Sequence, residues 1–205
     1  MTANVWDLGN KVLYDLCSVH SRHTEDNAIL AKILLIGRVY AAAIERRRNK
    51  EEGEESDNFY IDKVAPKLRN SQIDSWINEA KAVQPGTASA LKIAVKVHGL
   101  TTNLFHKISG LEKRSLASKY LHFHVPKLFY IYDSRAAEAL RQFSSDELPR
   151  ASRSSGEGDN EYRKFAEKCD HLRVTCHDRF SLDLNPRQID NLLLSTNEWP
   201  GVRLV

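Results

Sequence analysis

Apolar residues recur every three or four positions along almost the whole 205-residue chain, the spacing of helices that bury one face. Val5, Leu8, Val12, Leu16 and Val19 mark a first helix from Val5 to His20. Thr24, with Asn27 three residues on, has the chemistry of an N-cap for a second, longer helix reaching about Arg48. The acidic segment 50–57, KEEGEESD, has no apolar residue and reads as a solvated loop. A third helix is expected to start near Asn58 and to stall at Pro66. Ser71 to Val83 forms a short helix closed by Gln84-Pro85-Gly86, and Thr87 caps a long one carrying Leu91, Val95, Leu100, Leu104 and Ile108. Ser109-Gly110 makes a turn, Pro126 breaks the helix that follows, and LFYIY at 128–132 is the only strand-like run before Asp133-Ser134 opens another helix. Residues 144–160, rich in Ser, Gly and charge, predict a mobile loop. Glu161 to Phe180 is a charged helix, and Pro186 opens the last one, RQIDNLLLSTN.

The expected fold is all-α, a two-lobed helical bundle. It reads as one compact helical domain over 1–205, with two lobes at about 24–108 and 109–143 and the terminal helices packing on them as the finer division. A hydrophobic content of 41% is enough for such a core, and a net charge of +3 means that any affinity for nucleic acid must come from local clustering. Three cysteines, Cys17, Cys169 and Cys176, are too few and odd in number for a disulfide scaffold. They point to the reducing cytoplasm, and Cys169 and Cys176 read as small core residues. The opening MTANVWDLGN has no basic stretch before an apolar run, and no segment approaches 18 apolar residues, so neither a leader nor a membrane span is expected.

Two places carry candidate chemistry. The Gly110 turn would leave backbone N–H groups pointing outward at the start of the next helix, with Lys113, Arg114 and Lys119 close behind; exposed amides beside a basic cluster suit a nucleic-acid phosphate. Asp133 can cap its helix with one carboxylate oxygen and turn the other to a cleft, there to stabilise positive charge or orient an attacking amine or water. A cap with no catalytic role is the alternative reading of Asp133.

The elements I-S-G-L-E at 108–112, LASKYL at 116–121 and FYIYDSRAA at 129–137 resemble those of the helix-hairpin-helix DNA glycosylases, the family that includes 8-oxoguanine glycosylase, endonuclease III and the adenine glycosylase of mismatch repair. The likeness spans Ile108 to Leu140. It implies DNA as the partner, a base flipped out of the duplex, and Asp133 assisting cleavage of its N-glycosidic bond, the base-excision step of DNA repair. Gly110, Lys113, Arg114, Ser115 and Arg135 would then hold DNA. Bifunctional members add a lysine nucleophile that makes the enzyme a lyase as well. Here the matching position is Arg114 or Ser115, depending on the alignment, and Lys119, one turn past Ser115, is the candidate amine. Glu112 stands where the second hairpin glycine would be. The family's iron–sulfur ligand pattern stops after Cys169 and Cys176, because Arg179 and Asn185 hold the next two positions, so no cluster and no other cofactor is expected.

Arg38, Tyr40 and His122 are further candidates for the cleft lining. His122 and His124 would splay apart on one helix and are not expected to share a metal. Arg46 to Arg48 reads either as a solvated helix end or as a nucleic-acid contact. Trp6, Trp76 and Trp199 are scattered and read as core. Beside the glycosylase reading stand a noncatalytic helical DNA-binding or regulatory module and a helical protein partner, for instance within an antiviral defence or toxin operon.

Overall fold

A computed structural model describes residues 5–48, 56–141 and 158–198. Every regular element among them is helical, so the fold is all-α. The elements are α1 (Val5–Val19), α2 (Asp26–Val39), α3 (Ser56–Asn58), a π-helical segment (Phe59–Val64), α4 (Ala65–Arg69), α5 (Ile73–Lys81), α6 (Ala88–Ser109), α7 (Arg114–His124), α8 (Ser134–Ala139), α9 (Asn160–Phe180) and α10 (Pro186–Glu198). Most of the loop expected at 144–160, most of the acidic segment 50–57 and Trp199 lie outside the described residues. No helix among those described is long and apolar enough to cross a membrane.

The buried residues form one connected cluster running from Leu13 in α1 to Leu193 in α10. α6 lies at its centre and packs on α5, α7 and α9. As its sequence suggests, Thr87 caps it, the hydroxyl accepting from the Ala90 N–H at 3.2 Å, and Gly110 ends it in the left-handed region at φ 73°. α9 begins hard against α6: a Cβ on Gly99 would lie 2.8 Å from the Asp159 nitrogen and 3.0 Å from the Gly158 Cα. Both obstacles are backbone, which cannot step aside cheaply. Gly99→Ala is therefore expected to destabilise the fold by about 1–3 kcal/mol in urea titration, despite the helix propensity gained.

Four boundaries differ from the sequence expectation. α2 stops at Val39 instead of reaching Arg48, because the chain reverses over Gly37. Ala41 sits at φ 51°, the Ala42 N–H returns to the Gly37 carbonyl at 2.8 Å, and the Ala43 Cα lies 2.9 Å from where a Gly37 Cβ would be. Thr24 is not the cap of α2; Glu25 holds that position, without a side-chain cap bond. Pro66 does not stall its helix. The preceding turn widens to π-helical bonding, with the Ala65 N–H reaching back to the Tyr60 carbonyl, and this relieves the clash of the proline ring with the previous turn. Residues 128–132 are not a strand but a buried irregular segment, pinned where the Tyr132 N–H donates to Ser118 Oγ at 3.0 Å.

Three polar side chains inside the core are paired across elements. The His23 ring links Asp74 of α5 to the Tyr120 hydroxyl of α7, each at 2.6 Å. Lys32, fully buried, donates to the His20 and Arg22 carbonyls just past α1. His122 lies in the same interior. Its Nδ1 can only donate to the Phe129 carbonyl at 2.8 Å, so its Nε2 accepts from the Tyr14 hydroxyl at 2.6 Å.

Candidate active site

α6 and α7 are joined by residues 110–113, and α7 then presents Ser115 and Lys119 one turn apart on one face. Across from them the chain leaves the buried 128–132 segment at Asp133, whose backbone is extended and whose Oδ1 accepts from the Ala136 N–H at 2.9 Å. Asp133 is thus the cap of α8. Its other oxygen is turned elsewhere: Oδ2 lies 3.4 Å from Lys119 Nζ, which also donates to Ser115 Oγ at 2.8 Å and sits 5.7 Å from the centre of the Tyr40 ring. The Lys119 side chain is 3% exposed and Asp133 26%. Burial lowers the amine's pKa below the ordinary lysine value, and the Asp133 carboxylate partly opposes that shift.

The pair opens on a cleft of about 1090 Å³. The start of α1 (Trp6, Asp7), the fold-back after α2 (Tyr40 to Ala43, Arg46, Arg47), the turn before α7, the start of α8 and one side of α10 form its walls. Arg46, Arg47, Lys113, Arg135 and Arg187 lie around it against Asp7, Glu112, Asp133 and Asp190. The fold-back is braced from two sides. Lys113 donates to the Arg46 carbonyl, and the π segment holds the rest, with Tyr60 bonded to Glu45 and the Arg48 guanidinium 3.7 Å over the Phe59 ring.

Of the residues singled out in the sequence, Lys119, Asp133, Ser115, Lys113, Arg135 and Tyr40 all line this one cleft. Four others lie elsewhere. Arg38 is exposed and pairs with Glu45 at 2.5 Å. His122 is enclosed in the core, where burial lowers its pKa to about 4. Gly110 borders a smaller cavity of about 260 Å³ beside Arg48 and Lys63. Arg114 is held by three carboxylates, Glu112 and Asp159 at 2.6 Å and Glu161 at 3.4 Å, and so ties the start of α7 to the start of α9. Among the described residues no group of three His, Cys, Asp or Glu side chains converges as a metal site would require. A second cavity of about 890 Å³, lined by His124, Tyr130 and Arg173 among others, contains none of these ten residues.

The structure adds one group that sequence reasoning passed over. Asp190 of α10 lines the cleft, is 3% exposed, and bonds Arg187 at 2.6 Å through Oδ2 while its Oδ1 has no hydrogen-bond partner. Burial, reinforced by the Asp133 charge, raises its pKa to about 6 against the opposing pull of Arg187, Lys119 and Arg135. A signal was present: Asp190 falls between Ile189 and Leu193, on the apolar side of an amphipathic helix, where a solvated carboxylate does not belong.

A buried amine with a depressed pKa, a carboxylate touching it and a carboxyl that holds its proton up to about pH 6 form a set able to do nucleophilic and acid–base chemistry. The chain matches no protein-family model, no curated protein and no solved structure at a significant level.

Proposed function

We propose that the chain binds DNA across this cleft and breaks the base–sugar bond of a nucleotide turned out of the duplex, with lyase chemistry following from the same lysine. The observation that supports the reading is the Lys119–Asp133 pair at the floor of a cleft rimmed by arginine and lysine. The basic rim faces the phosphates, and a cleft of this size admits a flipped nucleotide.

In the neutral form, Lys119 Nζ carries the lone pair that attacks the sugar C1′. As the new C–N bond forms, the bond to the base breaks and its electron pair leaves with the base, which takes up a proton. Asp190, protonated below about pH 6, is the carboxyl in the cleft suited to supply it. Asp133 faces the positive charge that develops on the sugar and then on the attacking nitrogen. Loss of the amine protons and opening of the sugar ring leave a Schiff base between Lys119 and C1′, the species from which strand cleavage proceeds.

The test is incubation with duplexes bearing oxidised, alkylated, deaminated or hypermodified bases, scored for alkali-sensitive sites. Base release supports the enzyme. Duplex binding without release at any of these bases identifies a noncatalytic DNA-binding module instead, and no binding even below physiological salt removes DNA from the account. The rim makes a separate prediction. Arg46→Ala combined with Arg47→Ala is expected to weaken duplex binding and to reduce the slope of log affinity against log salt by roughly 2, one phosphate contact for each charge removed.

A further inference from the structure

α1 is apolar on two sides. Asn10, Leu13 and Cys17 are buried against the bundle. On the opposite side Val5 is 83% exposed, Leu8 56%, Val12 62% and Val19 76%, with Leu16 at intermediate exposure among them. At 3.6 residues per turn these five lie within roughly 80° of arc, a continuous stripe along the helix. Isolated apolar side chains on a surface need no explanation, but a stripe at coiled-coil spacing does.

The order of the stripe says what fits it. Val-Leu-Val-Leu-Val at positions 5, 8, 12, 16 and 19 is a palindrome, with the same residues at the same steps read from either end. Turned end over end about Val12, the helix sets Val5 against Val19, Leu8 against Leu16 and Val12 against itself. The charges beside the stripe obey the same symmetry. Lys11 and Asp15 are exposed on one flank, where they pair with each other at 2.7 Å, and the rotation places each Lys11 beside the other helix's Asp15. Gly9, on the other flank of the stripe, has nothing within 4 Å of its Cβ position, leaving room for close approach there. An isologous contact requires self-complementarity of this kind.

We propose that α1 is a dimerisation helix, pairing antiparallel with α1 of a second copy across a two-fold axis through Val12. Trp6 and Asp7, which line the cleft, lie on the other side of α1, so the pairing leaves the cleft of each copy open. The stripe offers on the order of 450 Å² of apolar surface per copy, about half of the ~800 Å² that each partner contributes to a standard interface. The dimer is therefore weak and concentration-dependent, with a dissociation constant of roughly 10⁻⁶–10⁻⁴ M.

Sedimentation of the full chain over that concentration range reads it directly. The mass is expected to rise from monomer towards dimer, and Val12→Asp to stay monomeric throughout with an unchanged thermal midpoint, because the residue is exposed in the monomer. Single-cysteine variants then test the geometry with a short thiol–thiol linker. Val12→Cys is expected to couple to itself, while Val5→Cys couples to Val19→Cys and not to itself; the native Cys17, Cys169 and Cys176 are buried. A wild type that stays monomeric at every concentration overturns the proposal, as does a Val12→Asp variant that still dimerises or self-coupling of Val5→Cys, the mark of a parallel pair. Monomeric protein that binds anionic phospholipid vesicles through this stripe, and loses that binding in Val12→Asp, overturns it in favour of a membrane surface.

Discussion

Lys119→Met is expected to abolish borohydride trapping on a duplex carrying a single abasic site, where the wild-type chain yields a covalent complex. The abasic aldehyde reports on the amine alone, whatever base the cleft prefers. Methionine fills the buried tunnel of the lysine stem without a charge, so the fold survives. Asp133→Asn is expected to behave differently. Asparagine caps a helix about as well as aspartate, so the Ala136 N–H bond is kept and stability in urea changes by less than about 1 kcal/mol. Trapping at the abasic site persists, whereas base release falls by roughly 10²–10⁴-fold. The direction is informative because Asp133 holds the Lys119 proton on. Removing the carboxylate leaves more neutral amine at pH 7, which alone would accelerate attack. A fall in base release therefore reports charge stabilisation at the sugar, and an unchanged or faster rate would reduce Asp133 to a helix cap.

Acidification is expected to destabilise the protein from about pH 6.5 downward, before ordinary carboxylates titrate. Burial lowers His23 and His122 to about 4 from an ordinary 6.5, and pushes His98 and His124 down as well. An unfolded chain takes up these protons first. The stability that the neutral rings confer is therefore complete above about pH 6.5 and is lost as pH falls from 6.5 towards 4. At pH 5 the loss is about 2 kcal/mol each for His23 and His122, with the other two adding in the same direction, against the ~5–15 kcal/mol of a typical domain. Asp190 acts oppositely. Its raised pKa returns some stability between about pH 6 and 3.8, too little to offset four histidines. Urea midpoints at pH 7.5 and 5.0 check this, with a fall of a third or more expected; equal midpoints would mean that the rings are not buried in neutral form.

Periodicity revealed the helical class and most element boundaries, because caps such as Thr87, Asp133 and Pro186 act locally and announce themselves. It failed where tertiary contact overrides local preference. The run of alanines at 41–43 reads as helix, yet a glycine four residues earlier lets the chain fold back there and carry Arg46 and Arg47 over the cleft. The Lys119–Asp133 contact was half legible. The residues could be named from their positions, but their separation depends on how α7 meets the 128–132 segment. The burial of Asp190 on an apolar face was a signal, but its charged neighbours Lys119, Asp133 and Arg135 come from α7 and the start of α8, which only the structure brings to it. Arg114, prominent in the sequence, is claimed by carboxylates of α9 that no local pattern links to it.

The π-helical turn ahead of Pro66 also acts as a length gauge. It holds one residue more than an α-helical turn would need between Phe59 and α4. A further residue inserted between Tyr60 and Ala65, in a turn that already holds one extra, would not be absorbed and would swing everything upstream by about 100° around the axis. Phe59 and Tyr60 would then face away from Arg48 and Glu45, and the fold-back bearing Arg46 and Arg47 would lose one of its two braces with no cleft residue changed. Loops here should tolerate insertions that this helix cannot, and chain length between residues 59 and 64 becomes a genetic handle on the basic rim.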